Sequence, residues 1–232
     1  INQGSCICIK MLIFDTTINK ERYFNMHTVL YTIVIVLIII YGFKAYQNYP
    51  SYKNSILPTL FPNYFEFFWR MFIRKDASNS SYLNKSIGNH KLSFATIENR
   101  QHQVTSKFVL FFYNKGITIV EYLDYPGTYS GNDEDRSWII KSNNKKIRIT
   151  NPIHELQTYK NRIQKMFKDG QISSVIAIKD DSEIDKIQTQ ALCCKYKDVI
   201  TTLNNIQCEH TLSESEIQNL FDSFNQKRST LS

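Results

Sequence analysis

GITIVEYLDYPGTYSG, residues 116–131, joins a strand-forming run to a turn-rich segment. Ile117 to Tyr122 is built from β-branched and aromatic side chains, the composition of a strand. Before it lies the turn Asn114-Lys115-Gly116, and before that Lys107 to Tyr113 (KFVLFFY), equally apolar and β-prone. Two such runs across a short turn containing Gly read as a hairpin. After it, Asp124 to Asp135 is rich in turn residues, with Pro126-Gly127 and Gly131-Asn132.

Working outward toward the C-terminus, Trp138-Ile139-Ile140 and Lys146 to Ile149 predict a second hairpin around Ser142-Asn143-Asn144. Asn151-Pro152 opens a helix, with proline where its missing N–H costs nothing. Ile153, Leu156, Tyr159, Ile163 and Phe167 recur at three- and four-residue steps, so the helix runs to about Lys168, and Asp169-Gly170 ends it. Ser173 to Ile178 reads as a buried strand. Ala191 to Tyr196 reads as another, followed by a short helix near Val199 to Asn204. Ser213-x-x-Glu216 is a capping box before a last helix that turns Ile217, Leu220, Phe221 and Phe224 inward. The expected class is α/β: a mixed sheet with flanking helices.

The whole chain has 232 residues, 42% of them apolar, with 7 Gly and 5 Pro. That excludes a fully disordered or collagen-like polymer and leaves one domain with an added segment. The net charge of +7 suits an anionic partner, nucleic acid or lipid, without choosing between them. Five cysteines form no even framework. Cys193 or Cys194 with Cys208 and His210 lacks a second ligand pair at zinc spacing, so reduced thiols are expected.

Toward the N-terminus, Tyr23 to Phe43 contains no Asp, Glu, Lys or Arg. Its core TVLYTIVIVLIIIYGF (28–43), with its flanks, is long enough to cross a hydrocarbon layer of about 30 Å. Tyr31, Tyr41 and Phe43 put rings toward the ends. The rival, a cleaved signal peptide, lacks a small-x-small cleavage site in KAYQNYP. An uncleaved anchor over 26–45 is expected. Residues 1–25 begin with Ile and show no sustained period, so translation is expected to start at Met26. The excess of Lys44, Lys53, Arg70, Arg74 and Lys75 over Glu66 then puts the C-terminal bulk in the cytoplasm of a single-pass cell-membrane protein. If 1–25 is present, Lys10, Lys20 and Arg22 compete with that orientation. LPTLFPNYFEFFWRMFIR (57–74) reads either as a segment lying in the lipid interface or as a helix packed on the soluble domain. DASNSSYLNKS (76–86) reads as a linker. The division is therefore 1–25, 26–45, a juxtamembrane segment 46–85, and a domain over 86–232.

GITIVEYLDYPGTYSG (116–131), Trp138 and ITNPIHELQTYKNRI (149–163) resemble, in order and spacing, the nuclease-related domain (NERD) family over about residues 86–225. The resemblance implies a restriction-endonuclease-like core. In such a core an acid at the end of one strand and a Glu-x-Lys on the next hold a divalent metal beside a phosphodiester. Oxygen ligands suit a hard cation such as Mg²⁺. The metal activates water, and the lysine stabilises developing charge.

This sequence departs from that pattern. Glu121 matches the family glutamate, but Leu123 stands where the lysine is expected and Phe108 where the aspartate is expected. The upstream Gly-Glu is matched only by Gly88-Asn89, and the glutamine after Asn-Pro aligns with Glu155. Glu121 is thus a catalytic remnant and at most a metal ligand, and no cofactor is expected. Mg²⁺ enters only if ligands have moved, with Asp124, Lys107 or Asp133-Glu134-Asp135 as replacements. His90, His102 and His154 are candidate bases only because they are histidines. Lys141, Lys145, Lys146, Arg148, Lys160 and Arg162 are candidates for a nucleic-acid backbone or a plain solvated face. The reading that follows is a membrane-anchored pseudoenzyme that binds DNA or serves in assembly. Its alternatives are an active metal-dependent nuclease with relocated ligands and a membrane scaffold unrelated to nucleic acid. Protein partners are not readable.

Overall fold

The computed structural model describes residues 4–99, 104–143, 145–168 and 170–229; for 4–25, 98, 99, 104, 105, 185 and 229 it describes the backbone alone. The chain divides into two compact units, 1–50 and 51–232.

The first unit is one helix, α1, which spans Gly4–Lys53 and so runs three residues into the second. From Met26 to Lys53 it is long and apolar enough to cross a membrane, with its hydrophobic side chains exposed.

The second unit is built on a five-stranded sheet of order β1-β2-β3-β7-β9. Its strands are β1 (His90–Asn99), β2 (Val104–Tyr113), β3 (Gly116–Leu123), β7 (Ile172–Ile178) and β9 (Cys193–Lys195). The β1-β2-β3 meander is antiparallel, and β3, β7 and β9 run parallel. The expected KFVLFFY–ITIVEY hairpin is therefore present, with Phe108 opposite Glu121 and Tyr113 opposite Gly116. Gly116 is required there: its φ is +99°, and a Cβ would lie 2.3 Å from the Gln171 carbonyl oxygen.

The central strands are apolar on both faces because both faces are covered. One face carries Val109, Phe111, Tyr113, Val120, Val175 and Ala177. Against it pack α2 (Leu57–Leu60), α3 (Tyr64–Phe68), a π-helical turn (Trp69–Arg74), α4 (Ser81–Ser86) and α6 (Val199–Asn205). Tyr52, Ile56, Leu60, Phe61, Phe67 and Leu83 are buried there. The aromatic stretch 57–74 is thus packed on the domain, and the linker stretch holds α4, capped by the buried Ser80.

The other face carries Phe108, Leu110, Phe112, Ile117, Ile119 and Ile176. It is covered by α5 (Pro152–Met166), α7 (Glu214–Ser229) and a second, four-stranded sheet of order β6-β5-β4-β8. Its strands are β4 (Thr128–Asn132), β5 (Ser137–Ser142), β6 (Lys145–Thr150) and β8 (Glu183–Gln188). β5 and β6 form the expected second hairpin. α5 buries Leu156, Tyr159 and Ile163, as its period requires. The capping box is formed at α7: Glu216 Oε2 accepts from the Ser213 N–H at 2.8 Å, and Ser213 Oγ accepts from the Glu216 N–H at 3.4 Å. Three strands stand where the sequence suggested none. They are β1, β4 inside the turn-rich stretch, and β8, which pairs parallel to β4 across 55 residues.

Candidate functional site

Glu121 lies near the C-terminal end of β3, on the same face as Ile117 and Ile119 and therefore under α5. Its side chain is 2% exposed. Burial pushes its carboxyl well above the ordinary range, the charge of Glu155 on α5 pushes the same way, and a hydrogen bond from Ser106 opposes both. Glu121 Oε2 has no hydrogen-bond partner among the described residues. Both pushes favour the uncharged form of the carboxyl in this apolar setting.

Its cross-strand neighbour explains that setting. Phe108 is fully buried directly opposite Glu121, and its ring stacks on Tyr159 of α5 with centroids 4.6 Å apart. The stack fills the position where the resemblance requires a carboxylate. Leu123 packs partly buried on the same apolar face, where the lysine is required. Among the described residues no group of three or more His, Cys, Asp or Glu is gathered. One buried carboxyl, a phenyl ring and a leucine do not fit the hard cation that the family chemistry uses.

The proposed replacements go elsewhere. Lys107 Nζ binds Asp124 Oδ2 at 2.7 Å, and Asp124 Oδ1 accepts from the Tyr196 hydroxyl at 2.8 Å. Strand alternation puts Lys107 on the face opposite Glu121, and its ion pair holds Asp124, just past the end of β3, beside it. The acidic cluster is a structured turn. Asn132 Oδ1 accepts from the N–H groups of Glu134 and Asp135, and Asp133 Oδ2 accepts from the Gln190 N–H. Asn151, fully buried, caps α5 by accepting from the Ile153 N–H at 3.0 Å. It ties the turn down by donating to the Asn132 and Asp135 carbonyls at 3.1 and 2.7 Å. Gly131 belongs to the same device, since a Cβ there would lie 2.3 Å from the Trp138 ring. The motif residues Gly131, Trp138 and Asn151 thus do structural work around the start of α5.

The remaining candidates separate in the same way. His90 is buried. Its Nε2 accepts from the Ser80 N–H at 3.2 Å, and burial holds its pKa down, so it is a neutral structural contact. His154 is exposed beside the Asp133 carbonyl at 3.1 Å. His102 lies outside the described residues. Cys193, Cys194 and Cys208 are unbridged. Burial pushes Cys193 up to about 12 and Cys194 to about 11, which keeps both thiols protonated near neutral pH.

The basic candidates divide by register. Trp138, Ile140, Ile147 and Ile149 face the core, so Ile139, Lys141, Lys146 and Arg148 face outward. Lys141 pairs with Lys146, and Ile139 with Arg148. Next in line come Thr128 and Ser130 of β4, and beyond them Glu183 and Lys186 of β8. Lys186, which sequence reasoning missed, joins this face only through the β4–β8 pairing. Glu183, its acid, is bonded to the Thr128 hydroxyl at 2.9 Å. Lys145 lies on the other side of β6. Lys160 and Arg162, two positions apart on α5, point to opposite flanks of the helix. The result is one open sheet face bearing exposed Lys141, Lys146, Arg148 and Lys186.

No curated protein and no solved structure matches the chain. The stretch from the end of α4 to the end of β7, residues 85–179, matches the model of the nuclease-related domain family, and the mixed α/β core with its flanking helices is consistent with the restriction-endonuclease-like fold related to that family.

Proposed function

We propose that this is a nuclease-related domain held by α1 on the cytoplasmic side of the cell membrane. It binds a nucleic-acid backbone and has lost the cleavage chemistry of its family. The observation that carries the loss is the Phe108–Tyr159 stack opposite Glu121, which occupies the place of the second carboxylate. The binding half is supported by the open face of the second sheet. Lys141, Lys146, Arg148 and Lys186 span three strand spacings there, about 14 Å, with Thr128, Ser130, Ile139 and Glu183 on the same face. Such a face matches the charge of a phosphate backbone and carries no groups poised to read bases.

The test uses residues 51–232 and duplex DNA. Affinity measured by fluorescence anisotropy should fall with salt, with a log–log slope of about −0.9 per phosphate contacted. Lys141→Glu with Lys146→Glu and Arg148→Glu should abolish binding, while plasmid stays uncut in Mg²⁺ or Mn²⁺. Unchanged binding by that triple variant would overturn the assigned surface. A second reading, a nuclease with relocated ligands, is favoured by the partnerless Glu121 Oε2 beside the charge of Glu155. Metal-dependent cleavage lost in Glu121→Gln would establish it instead.

A further inference from the structure

We propose that the aromatic face formed by Phe65 and Trp69, immediately after α1, docks into the headgroup layer of an anionic bilayer and clamps the domain to the membrane that α1 enters. The inference rests on the reading of α1 as a spanning helix.

Burial sorts the aromatic residues of this segment into two sets. Phe67 and Phe68 are buried, and Tyr64 and Phe72 pack partly against the core. Phe65 is 69% exposed and Trp69 46% exposed. They stand four residues apart, on one stripe of the helix, and their rings stack with centroids 6.2 Å apart. A single exposed ring needs no explanation. A stacked pair held outward on a segment whose other rings are inward presents a preformed apolar wedge.

The charged residues of the segment leave one excess cation, Arg70, Arg74 and Lys75 against Glu66 and Asp76. Arg74 and Lys75 are exposed at the end of the π-helical turn. The acids of the segment are already engaged within it. Glu66 accepts from Arg70 Nε at 2.9 Å and from the Ser81 N–H at 2.8 Å, and Asp76 accepts from the Ser78 N–H and hydroxyl at 3.0 and 2.6 Å. Arg74 and Lys75, exposed and close in sequence to the two rings, suit an anionic lipid surface, where tryptophan sits at headgroup depth.

Tyr52 has its ring 4.9 Å from Tyr64 and 5.1 Å from Phe67, and its hydroxyl donates to the Phe61 carbonyl at 2.5 Å. The segment that bears the wedge is thus packed on the first residues of its own unit, which follow the apolar helix directly in the chain.

The full chain, reconstituted into vesicles of phosphatidylcholine and phosphatidylglycerol, provides the test. It has 2 tryptophans, and Trp138 is fully buried, so Trp69 alone can meet lipid. Lipids brominated near the headgroup should quench an emission component that Trp69→Phe removes. Arg74→Glu with Lys75→Glu should weaken the quenching. Trp138 emission, unchanged in each variant, reports that the domain remains folded. Emission equal in brominated and plain vesicles, with Trp69 quenched by aqueous iodide or shielded by a second copy of the chain, would overturn the docking. Carbonate washing reads the anchor separately. Release by carbonate overturns the spanning reading, whereas retention with no lipid quenching overturns the docking alone.

Discussion

Replacing Glu121 by Gln keeps the side chain's size and removes its proton equilibrium, so it tests whether the buried carboxyl is neutral. In the folded domain burial and Glu155 raise its pKa well above the ordinary value, whereas in the unfolded chain it titrates near 4.3. Between those two values the unfolded chain has released a proton that the folded domain still holds. The contribution to stability is therefore fully present below the unfolded value and is lost as pH rises through the folded value. The maximum slope for one proton is about 1.4 kcal/mol per pH unit. Glu121→Gln has no such loss. Its stability relative to the unmodified domain should be near zero at pH 4 and grow in its favour through the neutral range. In a domain of this size each kcal/mol moves Tm by about 2–4 °C. Urea unfolding and thermal melts of residues 51–232 across pH 4–8 measure the gap. A gap that stays flat with pH, or a glutamine variant less stable at neutral pH than at pH 4, would refute the neutral buried acid and point to an ionised Glu121 with a partner.

Three further outcomes follow from the packing. Phe108→Ala removes a fully buried ring and its stack on Tyr159, and should cost about 3–5 kcal/mol in urea unfolding. Asn151→Ala removes the cap of α5 and leaves the Asn132 and Asp135 carbonyls without their donor, a loss of about 2–4 kcal/mol measured the same way. A domain begun at Ser86 lacks the fully buried Ile56, Leu60, Phe61 and Leu83 and exposes Val109, Phe111 and Val120. At about 1.5–3 kcal/mol per side chain it should bind a hydrophobic dye and lose its cooperative melt, while residues 51–232 melt cooperatively.

The hairpin of β2 and β3, the helix α5 and the capping box of α7 were legible because their signals are local. They are runs of β-branched and aromatic residues across a turn, a 3.6-residue period, and two side chains three positions apart. The departure from the family pattern is a matter of residue identity, since Phe108 and Leu123 are chemically unable to take the places of an acid and a lysine. The polar strands β4 and β8 were not legible. Thr128–Asn132 and Glu183–Gln188 carry turn-forming and charged residues; β8 is a strand through its parallel pairing with β4, which joins distant parts of the chain, and β4 through that pairing and its antiparallel one with β5.

The sequence by itself determined an apolar helix, an α/β domain after it and a surplus of cations, and its resemblance to the nuclease-related domain family singled out Glu121. The tertiary structure decided what those residues face. Register put Phe108 and Glu121 side by side beneath Tyr159, so the carboxyl is buried against rings rather than presented to a cleft. Strand pairing gathered Lys141, Lys146, Arg148 and Lys186 on one open face and left Lys145, Lys160 and Arg162 off it. The aromatic stretch 57–74 has a composition equally suited to lipid and to a protein core. Only the packing of its helices on the sheet divided it, with Phe67 and Phe68 turned inward and Phe65 and Trp69 left outside, because burial is a property of the neighbours a side chain meets and not of the side chain itself.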